Sequence, residues 1–402
     1  MRIRTVLIGF GWSGREIWLP RLLARDDYEV VAAVDPDPAT REAFTAATDR
    51  PAFADIDGLR AGDADLALVA APNHVHASLG RSLLQRGFAT FVEKPVCLTT
   101  AEADALADAE RDGAGTLLAG SASRYRADVA ELVKLVPELG RLRNVELAWE
   151  RARGVPQSRG WFTNRAQAGG GVLLDLGWHL LDVLEEVVGP VSFDQVAAST
   201  SDDHANDPRW AAAWRHDRPA PDVEVDVEDT VRGFLVADTG LSVSVRASWA
   251  THSATHDATT IRVDGSEGTA TLRTTFGFSP NREPRPRITA VRQGQAREIA
   301  VPVEPIGAEY DHQLDDIRHR LSDPSSRGRA IAGVRRIVAT IEAIYAASAG
   351  PLVPGEPVAT AAAPDDQRPG ARRGGLRPRR RPRGQPRDDG QGLRRGVRRG
   401  GR

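Results

Sequence analysis

The 402-residue sequence predicts an α/β protein: a doubly wound parallel sheet first, then an α/β unit built on a large, open, mainly antiparallel sheet. Three observations carry this expectation. Up to about residue 123, short apolar runs alternate with segments of 3.6-residue apolar spacing, the pattern of repeated strand–helix units. A glycine-rich turn follows the first apolar run directly. Beyond Arg124 the period changes to two, clearest where Leu241, Val243, Val245, Ala247 and Trp249 face one way and Ser242, Ser244, Arg246 and Ser248 the other.

In chain order, the first unit's strands are expected at Thr5–Ile8, Glu29–Val34, Leu66–Ala70, Thr90–Val92 and Thr116–Ala119, with helical patterns such as Ala101–Arg111 between them. Together they define a nucleotide-binding domain over 1–123. The second domain, 124–350, opens with a helix at about Arg126–Val136. Val231–Val236 and Leu241–Trp249 flank Ala237-Asp238-Thr239-Gly240 and read as a hairpin, and Val263-Asp264-Gly265 begins another. A helix from about Gly333 to Ala347 closes the folded body. The last 42 residues hold fourteen Arg, nine Gly and five Pro, with only Leu376, Leu393 and Val397 as sizeable apolar groups. Such a segment cannot offset its ordering entropy, so 351–402 is expected to be a disordered basic tail.

Composition narrows the chemistry. The one cysteine, Cys97, excludes an internal disulfide framework and a cysteine-rich zinc site, and suits a reducing cytoplasm. It follows the Glu93-Lys94-Pro95 loop with no basic pair around it, so a buried small hydrophobe is expected there. No apolar run approaches a bilayer span and no leader pattern opens the chain, so neither membrane insertion nor export is expected. The net charge of −2 divides into +10 beyond Thr360 and −12 before it. Only Lys94 and Lys134 among 53 basic residues are lysine, so either can mark a place where a guanidinium will not serve.

Three local patterns carry chemistry. Gly9, Phe10, Gly11, Trp12, Ser13 and Gly14 sit between the first strand and a helix. There the glycines allow a tight turn, close approach of a pyrophosphate and close helix packing, while the helix N-terminus offers free N–H groups. The second strand ends at Asp35, 21 residues past Gly14, where a carboxylate would bond adenosine ribose hydroxyls and repel a 2′-phosphate. NAD is therefore expected over NADP. Glu93-Lys94-Pro95 follows a strand at the carboxyl edge where such sheets place their ligands, and Pro95 holds Lys94 out of helical geometry. Finally, Gly169-Gly170-Gly171 leads into a helix on which Asp175 and His179 lie four apart on one face, with Asp182 next along it. A carboxylate beside an imidazole can orient the ring and set its proton affinity.

These blocks, in this order and spacing, resemble the glucose-fructose oxidoreductase / inositol dehydrogenase / MocA (Gfo/Idh/MocA) family over about residues 3 to 348. Pro72-Asn73-His74-Val75-His76 resembles the family's loop after its fourth strand, which borders the nicotinamide. The resemblance implies a Rossmann domain, a second domain with an open antiparallel sheet, and dimers or tetramers packed through that sheet. It makes Lys94, Asp175 and His179 the catalytic set, with His179 exchanging the hydroxyl proton, Lys94 stabilising the oxygen and Asp175 orienting and anchoring. Asn73, His76, Glu93 and Lys94 join the glycine turn and Asp35 around the cofactor, and Tyr125 (beside Arg124) and Trp161 become substrate contacts. The expected reaction is NAD-dependent hydride transfer at a secondary alcohol of a sugar, cyclitol or sugar derivative. Gly9 to Pro20, with Trp12 and Trp18, is similar to nucleotide-sugar dehydrogenases of actinobacterial antibiotic pathways. The acidic stretch between Ser201 and Asp229, from Asp202-Asp203-His204 to Asp222-Val223-Glu224-Val225-Asp226, departs from the family pattern as an insertion that could shape the substrate pocket.

Two rival functions stay open at this level. NAD-dependent glycoside hydrolysis would recycle the cofactor with no net NADH, and a non-catalytic dinucleotide or sugar sensor would not need Lys94, Asp175 and His179. His252 and His256 lie just past an alternating strand, where a four-residue spacing does not join two imidazoles, so no metal site is expected. The tail has no aromatic side chain for stacking bases, so nucleic acid is not an expected partner. A chain ending at Thr360 is accordingly expected to keep its circular dichroism spectrum and its turnover; loss of either would give the tail a role.

Overall fold

In the computed structural model, residues 2–156, 160–212, 225–252 and 255–349 are described. The tail and residues 213–224 of the acidic stretch lie outside the described residues.

Six strands form a wholly parallel sheet: β1 (Ile3–Ile8), β2 (Tyr28–Val34), β3 (Ala52–Phe53), β4 (Leu66–Val69), β5 (Ala89–Val92) and β6 (Leu117–Ala119), in the order β3-β2-β1-β4-β5-β6. The order reverses between β1 and β4, so a crevice opens beyond their carboxyl ends, where this topology places ligands. Alternation along β1 feeds two cores. Val6 and Ile8 pack on one side of the sheet with α3 (Asn73–Gln85) and α4 (Thr100–Asp112), and Leu7 packs on the other with Trp18, Leu22, Phe44 and Phe91.

The second sheet has eight strands: β7 (Leu142–Glu150), β8 (Phe193–Ser201), β9 (Thr230–Ala237), β10 (Ser242–Ser248), β11 (Ala258–Gly265), β12 (Thr269–Thr274), β13 (Arg287–Arg292) and β14 (Gln295–Ile299), in the order β14-β13-β12-β11-β7-β10-β9-β8. The hairpins at Ala237–Gly240 and after Val263 form, as β9–β10 and β11–β12. The sheet is mixed, because β7 and β10 pair in parallel. Val145, Leu147, Val243, Val245, Ile261 and Val263 point inward, into the core that also takes up α7 (Trp178–Val188), while Arg232, Phe234, Arg246 and Arg262 point outward. Cys97 is fully buried.

Helix α8 (Ala308–Ser322) has no counterpart among the sequence expectations. Its charged side chains leave only a thin apolar stripe, which obscures the helical period. That stripe returns to the first sheet: Tyr310, Leu314 and Ile317 join Trp18 and Tyr28 in the second core, and the Tyr28 hydroxyl donates to the Leu314 carbonyl at 2.7 Å. The two sheets are thus joined by the chain's return as well as by its first crossing. Leu314→Ala, which opens a cavity at this junction, is expected to lower unfolding free energy by about 2–5 kcal/mol in urea titration. A loss below about 0.5 kcal/mol, typical of an unimportant surface site, would contradict that packing.

Candidate active site

A cleft of about 870 Å³ runs from the carboxyl ends of β1 and β2 to the junction with the eight-stranded sheet. At its first end the three glycines of the turn do different things. Gly9 has φ +92°, and a Cβ there would lie 2.7 Å from the Ala70 carbonyl oxygen; a Cβ on Gly14 would lie 2.5 Å from the Gly9 carbonyl oxygen. A Cβ on Gly11 would meet nothing within 4 Å. Gly9 and Gly14 are therefore fixed by the protein's own packing, whereas Gly11 opens onto the cleft where a ligand would lie. Trp12 and Ser13 line the same end, and the helix begins as a wide π turn over Ser13–Trp18. Phe10 buries its ring edge-on against Phe44, so only its backbone serves the turn: its N–H donates to Asp35 Oδ2 at 2.8 Å. Asp35 also accepts from the Asp37 N–H and borders the cleft. The residues fit a dinucleotide, with N–H groups for the pyrophosphate and Asp35 for the adenosine ribose. Arg41, which the sequence did not point to, lies beside it, one guanidinium nitrogen donating to the Asp35 and Pro36 carbonyls.

At the other end, β5 delivers Glu93 and Lys94. Glu93 is buried, accepting from the Trp18 indole N–H at 3.0 Å and the Lys94 N–H at 2.8 Å, and burial pushes its carboxyl above the usual range. The Lys94 ammonium donates to Asp175 Oδ1 at 2.8 Å. The other Asp175 oxygen accepts from the Trp249 indole N–H at 2.9 Å, with Arg151 4.0 Å away. Burial alone would raise the Asp175 carboxyl, but Lys94, Arg151 and these hydrogen bonds hold it well below the usual range. The Asp175 turn, Leu173–Gly177, is again π-helical and runs straight into α7, which carries His179.

His179 is lowered as well, for a different reason. Burial, then the nearby Lys94 charge, lowers it to about 3, against the pull of Asp175. Its Nδ1 lies 3.0 Å from the Ser123 hydroxyl, so the hydrogen bond that orients the ring involves Ser123, and that of Asp175 goes to Lys94. With Nδ1–H donating to Ser123, Nε2 keeps a lone pair able to take a proton. Trp149 tilts against the His179 ring at 5.7 Å, and Arg151 lies over the Trp149 face at 5.5 Å.

Lys94, Asp175, His179, Asn73, His76, Glu93 and Trp161 all border this one cleft with Gly9, Gly11 and Asp35. Two of them are tied into the scaffold: Asn73 donates to the Ala168 carbonyl at 2.9 Å, and both His76 ring nitrogens lie 2.7 Å from carbonyls, of Pro95 and Ala71. Tyr125 is turned elsewhere. Successive side chains of the Ala122–Tyr125 turn point to different sides, so Ser123 meets His179 while Arg124 pairs with Asp182 and Tyr125 donates to Asp316 at 2.5 Å. Arg124, Tyr125 and Asp182 line a second, polar cavity of about 570 Å³ instead. His252 packs with His204 and Trp210. Ser123, Trp149, Arg151, Trp249, Phe278 and Tyr310 complete the site without having been singled out, and none carries a local motif. Among the described residues of the acidic stretch, Ala212 reaches the cleft.

A glycine cradle for a dinucleotide, opening onto a lysine, a carboxylate and a neutral imidazole, defines a nucleotide-dependent oxidoreductase. Comparison with known proteins agrees: the description "Oxidoreductase family, NAD-binding Rossmann fold" matches residues 3–120 and "GFO/IDH/MocA C-terminal domain" matches 130–271. The chain belongs to the Gfo/Idh/MocA family. It is 56% identical over 348 residues, 87% of this chain and 96% of the other, to the "Putative UDP-kanosamine synthase oxidoreductase subunit" of Amycolatopsis mediterranei. It is 29% identical to the levoglucosan dehydrogenase of Pseudarthrobacter phenanthrenivorans over 171 residues, 41% of this chain and 40% of that one. The solved levoglucosan dehydrogenase complex with NADH and levoglucosan shares the fold at a TM-score of 0.68 and 20% identity, over 87% of this chain and 98% of that one.

The lowered His179 couples folding to pH. The unfolded chain binds a proton at this histidine near pH 6.5 and the folded chain does not, so its contribution to stability is complete above about pH 6.5 and is lost as pH falls toward 3. Unfolding titrations are expected to show that decline in the parent relative to His179→Phe. A pH-independent difference between the two would contradict the shift.

Proposed function

We propose that this oxidoreductase uses NAD to interconvert a secondary alcohol and a ketone on the sugar ring of a sugar nucleotide, as a step toward a modified sugar of an antibiotic. The carrying observation is the Lys94–Asp175 pair beside neutral His179, in the same cleft as the glycine turn. Bound NAD would supply the hydride acceptor. His179 takes the hydroxyl proton at Nε2 during oxidation and returns it in reduction. Lys94 donates a hydrogen bond to the same oxygen and favours its developing negative charge. Asp175 holds the ammonium in place through a charge-assisted hydrogen bond.

The substrate class rests on the relative of highest quoted identity and on the cleft walls. Trp161 and Phe162 offer apolar surface for sugar C–H groups, and Arg151 adds a second cation suited to a phosphorylated substrate. Self-association through the outward face of the eight-stranded sheet, where Phe234 is 49% exposed, belongs to the same reading, as does a cytoplasmic setting for the one buried thiol.

The direct test is NADH formation from NAD with a panel of free sugars, inositols and nucleotide-sugars. Stoichiometric NADH from a nucleotide-sugar is expected; glycosidic cleavage without net NADH, or reaction with free sugars alone, would overturn the assignment. For cofactor choice, Asp35→Ser is expected to weaken NAD relative to NADP about tenfold or more, since it removes about one charge-assisted hydrogen bond and leaves Arg41 for a 2′-phosphate. An unchanged ratio would remove NAD preference from Asp35.

A further inference from the structure

Beyond the reacting groups, the start of the Asp175 helix needs an explanation. Gly169, Gly170 and Gly171 have no side chains to brace it, yet Asp175 and His179 must be held closely for Lys94 to meet them. The brace comes from a distant strand entrance. Glu228 is 3% exposed, and its Oε1 accepts from the Gly171 N–H at 2.9 Å, the Leu173 N–H at 3.1 Å and the Tyr345 hydroxyl at 2.8 Å. Its Oε2 lies 3.3 Å from Arg165, and its backbone carbonyl accepts from the Val172 N–H at 3.0 Å.

The fit is tight enough to explain the glycines. A Cβ on Gly171 would lie 2.0 Å from the Glu228 carbonyl oxygen, and one on Gly170 1.9 Å from the Tyr345 hydroxyl oxygen. The next residue works on the other side of Asp175: the Asp229 carbonyl accepts from the Trp249 N–H at 2.8 Å, and the Trp249 indole holds Asp175 Oδ2. An anion at this helix start also opposes the positive end of the helix dipole.

We propose that Glu228, clamped by Tyr345, is the positioning residue of this site. It fixes the Gly171–Leu173 turn so that Asp175 stands against Lys94 and His179 against Ser123, and it touches neither cofactor nor substrate. The proposal rests on the reading of this cleft as the reaction site but not on the identity of the sugar.

The test compares Glu228→Ala, Glu228→Gln and Tyr345→Phe in the full chain. Glu228→Ala is expected to lower kcat about 100-fold, the effect of a misplacement of about 1 Å, with KM and the Kd for NADH within about threefold. Glu228→Gln, whose amide oxygen can still accept, is expected to recover most of that loss, and Tyr345→Phe to lower kcat about three- to tenfold, as for a lost neutral hydrogen bond. In 15N NMR without substrate, the His179 ring resonances are expected to move in Glu228→Ala and to stay near their parent positions in Glu228→Gln. This readout separates a wrong substrate from a wrong proposal. Unchanged kcat and His179 resonances in Glu228→Ala would overturn it. If that variant does not fold, an unchanged kcat and unmoved His179 resonances in Tyr345→Phe would overturn it, and a fall in kcat at constant KM would support it.

Discussion

The ion pair between Lys94 and Asp175 is the interaction on which the site depends. It joins the carboxyl edge of the parallel sheet to the first turn of a helix packed on the other sheet, and both partners are largely buried, at 18% and 14% side-chain exposure. Removing one partner of such a pair strands the other charge, at about 3–5 kcal/mol for a fully buried case. The protein therefore fixes each end separately. Glu93 holds the Lys94 backbone and is itself held by Trp18, while Trp249 takes the second oxygen of Asp175.

The electrostatics follow from this arrangement. Lys94 and Arg151 flank one carboxylate, so the reacting end keeps an excess of positive charge, and burial with Lys94 nearby keeps His179 neutral. A neutral imidazole can accept a proton, and a cation across from it favours the oxygen that loses one. Stability is not what such a grouping maximises, since Lys94, Arg151, Asp175 and His179 are crowded together beside a glycine-rich turn.

What was legible in the sequence was whatever declares itself locally. The glycine turn, Asp35 at a strand end, Lys94 before Pro95 and the period-two strand ending at Trp249 each sit within a few residues of their own explanation. The partners that finish the site do not. Ser123 reaches His179, Trp249 reaches Asp175 and Tyr310 reaches the cleft through long-range packing, so their neighbours in sequence say nothing about it. The four-residue spacing of Asp175 and His179 promised a shared helical face. Both do border the cleft, but the π turn that carries Asp175 precedes the α turn of His179, and their hydrogen bonds go to different partners. Tyr125 shows the opposite limit, because a short turn sends adjacent side chains to different cavities. The mixed sheet was equally hidden, since alternation reports which face is buried and not which strand lies alongside.

The scarcity of lysine gains a physical meaning here. Lys134 is exposed and pairs with Glu131 on the surface of its helix, whereas Lys94 stands where a compact point-charge donor is needed. The decisive measurement is the turnover of Lys94→Arg beside Lys134→Arg, with the Kd for NADH of both. The account predicts that Lys94→Arg keeps the charge and binds NADH, yet loses about 100-fold or more in kcat, the scale of a lost oxyanion donor, while Lys134→Arg is silent. A Lys94→Arg enzyme turning over within threefold of the parent would contradict it.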